Sequence, residues 1–177
     1  MRGVNPFPFF FWPFPLAWPA RFLRDGSIKR PRAYVPARGA FVTEITLSRR
    51  VSWGEVDSAG IVFYPNYFQW FDTATHDLFR ANGLSLKDLA REGVVVPILS
   101  AGAEFKAPLH YDEEFRLRSW FTDLTEKTFR VRHALSSTDG KVLSEGWELR
   151  GWARKSPEGI HLEPIPARHR AVLAGGP

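Results

Sequence analysis

From residue 41 onward the apolar positions follow two periods in turn. Phe41–Trp53 sets Val42, Ile45, Leu47 and Val51 largely at alternate places, the period of a half-buried strand. The stretch from Gly54 to Gly60 breaks that pattern, and Pro65 to about Asn82 then reads as a helix. Tyr67, Phe71, Ala74 and Leu78 recur at i, i+4, i+7 and i+11, which is one stripe of a helix. Proline suits the first helical position because its missing N–H is not needed there, and Asn82-Gly83 is a stop signal. Phe68, Trp70 and Phe79 widen the stripe, so this helix is expected to be buried over most of its surface. A second short helix is expected over Ser85–Glu92, with Ser85 as N-cap and Asp88 three residues on.

The remainder is strand-like. Val94–Lys106 is the first run, ended by Pro108. Glu114–Leu124 alternates Phe115, Leu117, Ser119 and Phe121, and Thr128–Ser137 alternates Phe129, Val131, His133 and Leu135. Asp139-Gly140 then marks a hairpin. Val142–Ala153 follows, Ile160–Ile165 is a shorter piece, and residues 167–173 suit a terminal helix. One long buried helix against an antiparallel sheet is an α+β architecture.

Composition changes the picture mainly at the N-terminus. Residues 5–19 are aromatic and proline-rich, and prolines at 6, 8, 13, 15 and 19 forbid an uninterrupted helix, so this is a poor membrane span. It is also a poor signal peptide, with a thin basic start and no clean cleavage site. Residues 20–40 read as a basic linker. Two readings stand: an extension that touches a membrane surface or a partner, or a reading frame opened upstream of a protein that begins near Val42. The second is the expectation, which sets residues 1–40 aside and leaves 41–177 as the domain. The net charge of +5 belongs to that segment. Seven basic residues there face Asp25 alone, and the rest of the chain carries one net negative charge. A nucleic-acid partner needs a basic face on the fold itself, so none is expected. Hydrophobic residues at 44% and charged residues at 24% fit a soluble globular domain, and the absence of cysteine excludes disulfides and thiolate chemistry. A cytoplasmic location is expected.

The histidines, His76, His110, His133, His161 and His169, form no metal-ligand spacing, and no metal is expected. There is no phosphate-binding loop, Rossmann glycine fingerprint or Gly-x-Ser-x-Gly. The strongest polar feature is Asp57, in a loop between a strand and a buried helix, followed by apolar Ile61, Val62 and Phe63 that would make a cleft partly dry. A helix start offers free N–H groups and a positive dipole end, able to polarise a carbonyl as it gains negative charge. A carboxylate nearby can attack that carbonyl or activate water to do so. An aspartate before a helix is also an ordinary turn or cap residue, although Asp57 lies seven residues before Tyr64, too far to cap that helix.

Asp-x-Ala-Gly-Ile-Val-Phe-Tyr-Pro-Asn-Tyr at 57–67, followed by Trp70-Phe71-Asp72, resembles the signature of the 4-hydroxybenzoyl-CoA thioesterase family, of hotdog fold. Val96-Pro97-Ile98-Leu99-Ser100, Phe105, Pro108, Asp112 and Lys127-Thr128-Phe129 extend the likeness over roughly residues 43–170. The resemblance implies a long helix wrapped by an antiparallel sheet, a homo-oligomer (dimer or tetramer) with active sites at the dimer interface, and an acyl-CoA substrate. Coenzyme A is then part of the substrate and no cofactor is expected. Asp57 matches the catalytic aspartate, nucleophile or general base. Tyr64 matches the residue whose backbone N–H polarises the thioester carbonyl. Lys127 matches a basic residue near the coenzyme A phosphates, and Arg130 and Arg132 are further candidates without a motif. Asp72 matches an acidic position near the acyl group, where it would read a polar ring substituent; the alternative is a helix-surface carboxylate. Val96 is apolar where the 4-hydroxybenzoyl enzyme is more polar, which does not by itself support hydroxybenzoyl specificity and leaves benzoyl, another aromatic or an aliphatic acyl group open. Another branch of the family has histidine where this chain has Tyr64-Pro65. The rival readings are a hotdog hydratase or dehydratase, with His76 as the only helix histidine, and a non-catalytic acyl-CoA binding module.

Overall fold

The central helix α1 spans Pro65–Ala81 and forms for the reasons its sequence suggests. Pro65 occupies its first turn, and Tyr67, Trp70, Phe71, Ala74, Leu78 and Phe79 are buried along one broad face. At its end the N–H groups of Asn82 and Leu84 both donate to Phe79 O, and Gly83 takes φ +72°, the left-handed turn that a residue without Cβ adopts without strain. The computed structural model describes residues 44–174. The expectations for residues 1–40, and the start of the first strand at Phe41 and Val42, lie outside the described residues.

Around α1 runs a five-stranded antiparallel sheet in the order β1 (Glu44–Arg50), β4 (Glu114–Thr122), β5 (Thr128–Ser137), β6 (Val142–Gly151), β3 (Ile98–Phe105). Phe115, Leu117 and Phe121 of β4 and Phe129, Val131 and Leu135 of β5 point inward beneath the helix. The Asp139-Gly140 hairpin is present, with Gly140 at φ +93° and its N–H bonded to Ser137 O. The short helix α2 covers Leu86–Arg91. Ser85 stands at its N-cap position, yet its hydroxyl makes no capping bond there.

Two expected strands are each divided. Val94–Lys106 breaks at Val96-Pro97, because proline has no N–H to give a ladder: Val94–Val95 is a separate strand, β2, and only Ile98–Phe105 joins the main sheet. Val142–Ala153 breaks at the fully buried Trp152, after which β7 (Ala153–Ser156) leaves the main sheet. With β8 (Gly159–Leu162, shorter than the expected Ile160–Ile165), these form a second sheet in the order β2-β7-β8. The first strand also ends at Arg50, and Trp53–Glu55 is a single 3₁₀ turn. A terminal helix α3, Ala167–Leu173, packs Leu173 into the core with Trp152 and Ile165. No helix among the described residues is long and apolar enough to cross a membrane.

Candidate active site

The segment from Val51 to Tyr64 is a loop closed on itself. Val56 bridges Val62, the Asp57 N–H donates to Ile61 O at 2.9 Å, and the Phe63 N–H donates to Glu55 O at 2.9 Å. At the tip, Gly60 at φ +75° returns its N–H to Asp57 O, and the Ala59 N–H donates to Asp57 Oδ1 at 2.8 Å. Asp57 is thus the first residue of a tight turn whose geometry it helps to set. No hydrogen bond is made to its Oδ2 among the described residues. Val62 anchors the loop inward, buried and with its N–H on Leu109 O.

Sequence reasoning passed over Glu55, which ties this loop to α1. Glu55 Oε1 accepts from Trp70 Nε1 at 2.8 Å, Oε2 accepts from the Ser52 N–H at 2.7 Å, and the main-chain carbonyl accepts from Asn66 Nδ2 at 2.8 Å. A Glu three residues after a Ser, ahead of an apolar run, is a readable signal of a capping box.

Tyr64 stands immediately before Pro65, and its backbone N–H makes no hydrogen bond among the described residues. That N–H sits at the positive end of a 17-residue helix. The expected dry cleft is not formed by this chain alone. Asp57, Phe63 and Tyr64 are all exposed, because only Val62 of the apolar run turns into the core.

Asp72 and Val96 meet through a residue not singled out in the sequence. Arg150 of β6 is 3% exposed; its Nη2 donates to Asp72 Oδ1 at 2.6 Å and its Nη1 reaches Val96 O at 3.4 Å. The same guanidinium is clamped from below by Glu148, with Nε and Nη2 at 3.0 and 2.9 Å from Oε2. Glu148 also accepts from Thr75 Oγ1 at 2.7 Å and lies 3.6 Å from His133 Nε2. Burial pushes the Glu148 carboxyl up, but His133, Arg150 and Thr75 together outweigh it and hold it below its ordinary range. Burial pushes His133 down, and the pull of Glu148 in the other direction does not offset it. His133 stacks on Phe71, with ring centroids 4.5 Å apart, and its Nδ1 is 2.8 Å from Ser119 Oγ. Beside Val96, a cavity of about 280 Å³ is lined by His76, Leu86, Leu89, Pro97 and Arg150 among others. His76 lies 3.7 Å from Asp72 Oδ1, so the helix histidine has a carboxylate beside it.

Lys127 is not brought near Asp57 within one chain. It lies exposed in the β4–β5 turn, whereas the Asp57 loop is pinned at the other end of β4 through Leu109, Asp112 and Glu113. A nine-residue strand separates those ends, roughly 30 Å of extended chain. Arg130 is paired with Asp123 at 2.7 Å and lies over Trp147, while Arg132 is exposed on the outer face of β5.

Residues 51–153 match the profile described as the thioesterase-like superfamily. The chain belongs to that superfamily. A 4-hydroxybenzoyl-CoA thioesterase of Pseudomonas sp. (strain CBS-3) is 31% identical over 130 residues, covering 70% of this chain and 92% of that protein. A solved gentisyl-coenzyme A thioesterase superposes with a TM-score of 0.65 at 34% identity, over 71% of this chain and 99% of the other. A 4-hydroxybenzoyl CoA thioesterase variant solved with 4-hydroxybenzoyl CoA gives a TM-score of 0.68 at 27% identity, over 75% of this chain and 99% of that one. The family resemblance read from 57–72 therefore holds, and the α+β fold is the hotdog of the 4-hydroxybenzoyl-CoA thioesterase family.

Proposed function

We propose that this thioester hydrolase cleaves an aromatic acyl-CoA to the free acid and coenzyme A, with Asp57 as the essential carboxylate and the Tyr64 N–H as the donor to the carbonyl oxygen. Membership of the thioesterase-like superfamily and the names of its relatives support acyl-CoA hydrolysis. The observation that carries the residue assignment is the 57–64 loop. It holds at one end a carboxylate oxygen, and at the other an N–H on a helix terminus, neither of which makes a hydrogen bond among the described residues. As general base, Asp57 takes a proton from water while the water oxygen bonds the carbonyl carbon. As nucleophile, Asp57 itself forms that bond and water later cleaves the mixed anhydride. In either route the C–S bond breaks, coenzyme A leaves as thiolate and is then protonated, and the Tyr64 N–H bears the transient oxyanion.

Asp57→Asn in the full chain keeps the shape and removes the charge. Its kcat is expected to fall by roughly a hundredfold to ten-thousandfold, the usual weight of such a group; full activity would end the assignment. A single turnover in heavy-oxygen water identifies the nucleophilic route when water opens the anhydride at Asp57 Cγ, since only then does Asp57 take up label. For the acyl group, Val96 and the apolar cavity beside it support an aromatic ring, and Asp72, bonded to Arg150 of its lining, supports one with a polar substituent. Higher kcat/KM for benzoyl- and hydroxybenzoyl-CoA than for hexanoyl-CoA is the expected ranking, and the reverse would overturn it.

The working unit in this proposal is a homo-oligomer, with Lys127 reaching the coenzyme A phosphates of a site whose Asp57 belongs to a second copy. The opposite placement of Lys127 and Asp57 supports this, as does β3, an edge strand with Ile98, Leu99 and Phe105 exposed. Coenzyme A enters as part of the substrate, and no separate cofactor is called for. A hydratase reading has one observation in its favour, the His76–Asp72 approach; hydroxyacyl product from an enoyl-CoA would support it.

A further inference from the structure

Asp72 would be an unremarkable surface carboxylate were it not for what holds it. Its side chain is 47% exposed, and Arg150 at 2.6 Å and His76 at 3.7 Å both address the same oxygen, Oδ1. No hydrogen bond is made to Oδ2 among the described residues. Arg150 is itself immobilised, since Glu148 takes two of its donors and is in turn held by Thr75 on the underside of α1. A buried bracket thus rises from β6 and ends in one tethered and one free carboxylate oxygen. The charge count matters too: Glu148 and Asp72 share a single guanidinium, so the cluster before His76 and His133 are counted is negative by one.

We propose that Arg150 is a positioning residue for substrate choice, fixing Asp72 so that Oδ2 accepts a hydrogen bond from a hydroxyl or similar donor on the acyl group. This rests on the reading of Asp72 as the residue beside the acyl group and adds to it. A planar guanidinium bonds two carboxylates at once through its fork, which a lysine ammonium does not reproduce. The excess negative charge also turns away acyl groups that carry a carboxylate, because an anion there would meet Asp72 with Arg150 already committed.

The test compares kcat/KM for 4-hydroxybenzoyl-CoA and benzoyl-CoA in the full chain, the wild type expected to prefer the first. Arg150→Met alone would strand a buried Glu148 charge and destabilise the fold. The variant of choice is therefore Glu148→Gln with Arg150→Gln, and Arg150→Lys keeps the charge while losing the fork. In both, the preference is expected to fall by about tenfold, the weight of a hydrogen bond to a charged group, with the loss carried by the hydroxylated substrate. Arg150→Lys supplies the test if the double variant does not fold. A preference unchanged in the variants, or both substrates losing rate in parallel, overturns the proposal. Asp72→Asn separates the two layers. If it leaves the preference intact, the reading of Asp72 itself fails. If it abolishes the preference while the Arg150 variants keep it, only the positioning role of Arg150 fails.

Discussion

Glu55 commits both carboxylate oxygens and its main-chain carbonyl to the loop that carries Asp57. Removing it in Glu55→Ala leaves the Trp70 indole N–H without its acceptor and frees the Ser52 end of the turn, while the backbone pairing of 56 with 62 remains. The loop is then free to shift relative to the Tyr64 N–H. Because small misplacements of reacting groups are costly, kcat is expected to drop by about tenfold with little change in helical circular dichroism. An unaltered kcat would mean that the backbone bonds alone hold the loop. At this scale the loop from Asp57 to Tyr64 and the helix start after it were legible, because they lie in one contiguous motif. Arg150 and Glu148 were not legible, because strand alternation alone assigns Trp147 and Leu149 of β6 to the core and their charged neighbours to solvent. The actual register does the reverse: Gly146, Glu148 and Arg150 face the helix, and Trp147 lies on the outer face against Gly102.

Gly146 explains how α1 comes so near the sheet. A Cβ built there would stand 2.5 Å from Phe71 Cζ, and Phe71 has no room to retreat because His133 stacks on its ring. Gly146→Ala therefore pushes α1 outward or forces Phe71 from its rotamer, a kind of overpacking that costs about 1–3 kcal/mol. Chemical denaturation reads that loss directly, and a variant as stable as wild type would show that the helix can slide. The helix was the most legible element, since a 3.6-residue period over 17 residues admits little else. The two divided strands were less so. Their apolar runs continue across Val96-Pro97 and Trp152 without a change of period, and only sheet membership, a long-range property, separates the halves. Lys127 had the same difficulty: its motif was readable, but its distance from Asp57 depends on which end of β4 each loop joins.

For the whole molecule, the buried histidines and Glu148 act in one direction on the acid side. His133 and His169 are both held below the ordinary histidine value of 6.5, in each case by burial first. Below that pH the unfolded chain takes up protons that the folded histidines refuse, so folding is progressively penalised as pH falls. Glu148, held below its ordinary value of 4.5, adds the same sign further down: the unfolded carboxyl is protonated while the folded one stays ionised against Arg150. Stability is therefore expected to be level between about pH 7 and 8 and to decline as pH falls below about 6.5, by up to about 1.4 kcal/mol per pH unit for each histidine. Urea midpoints measured across pH 5–8 read this slope. His133→Gln, which cannot take up the proton in either state, should remove the His133 share while lowering stability at pH 8 through the lost stacking on Phe71. A midpoint flat from pH 7 to 5 in the wild type would mean that the network beneath α1 admits a proton in the folded state. In that case Glu148, 3.6 Å from His133 Nε2, would be the group that stabilises it.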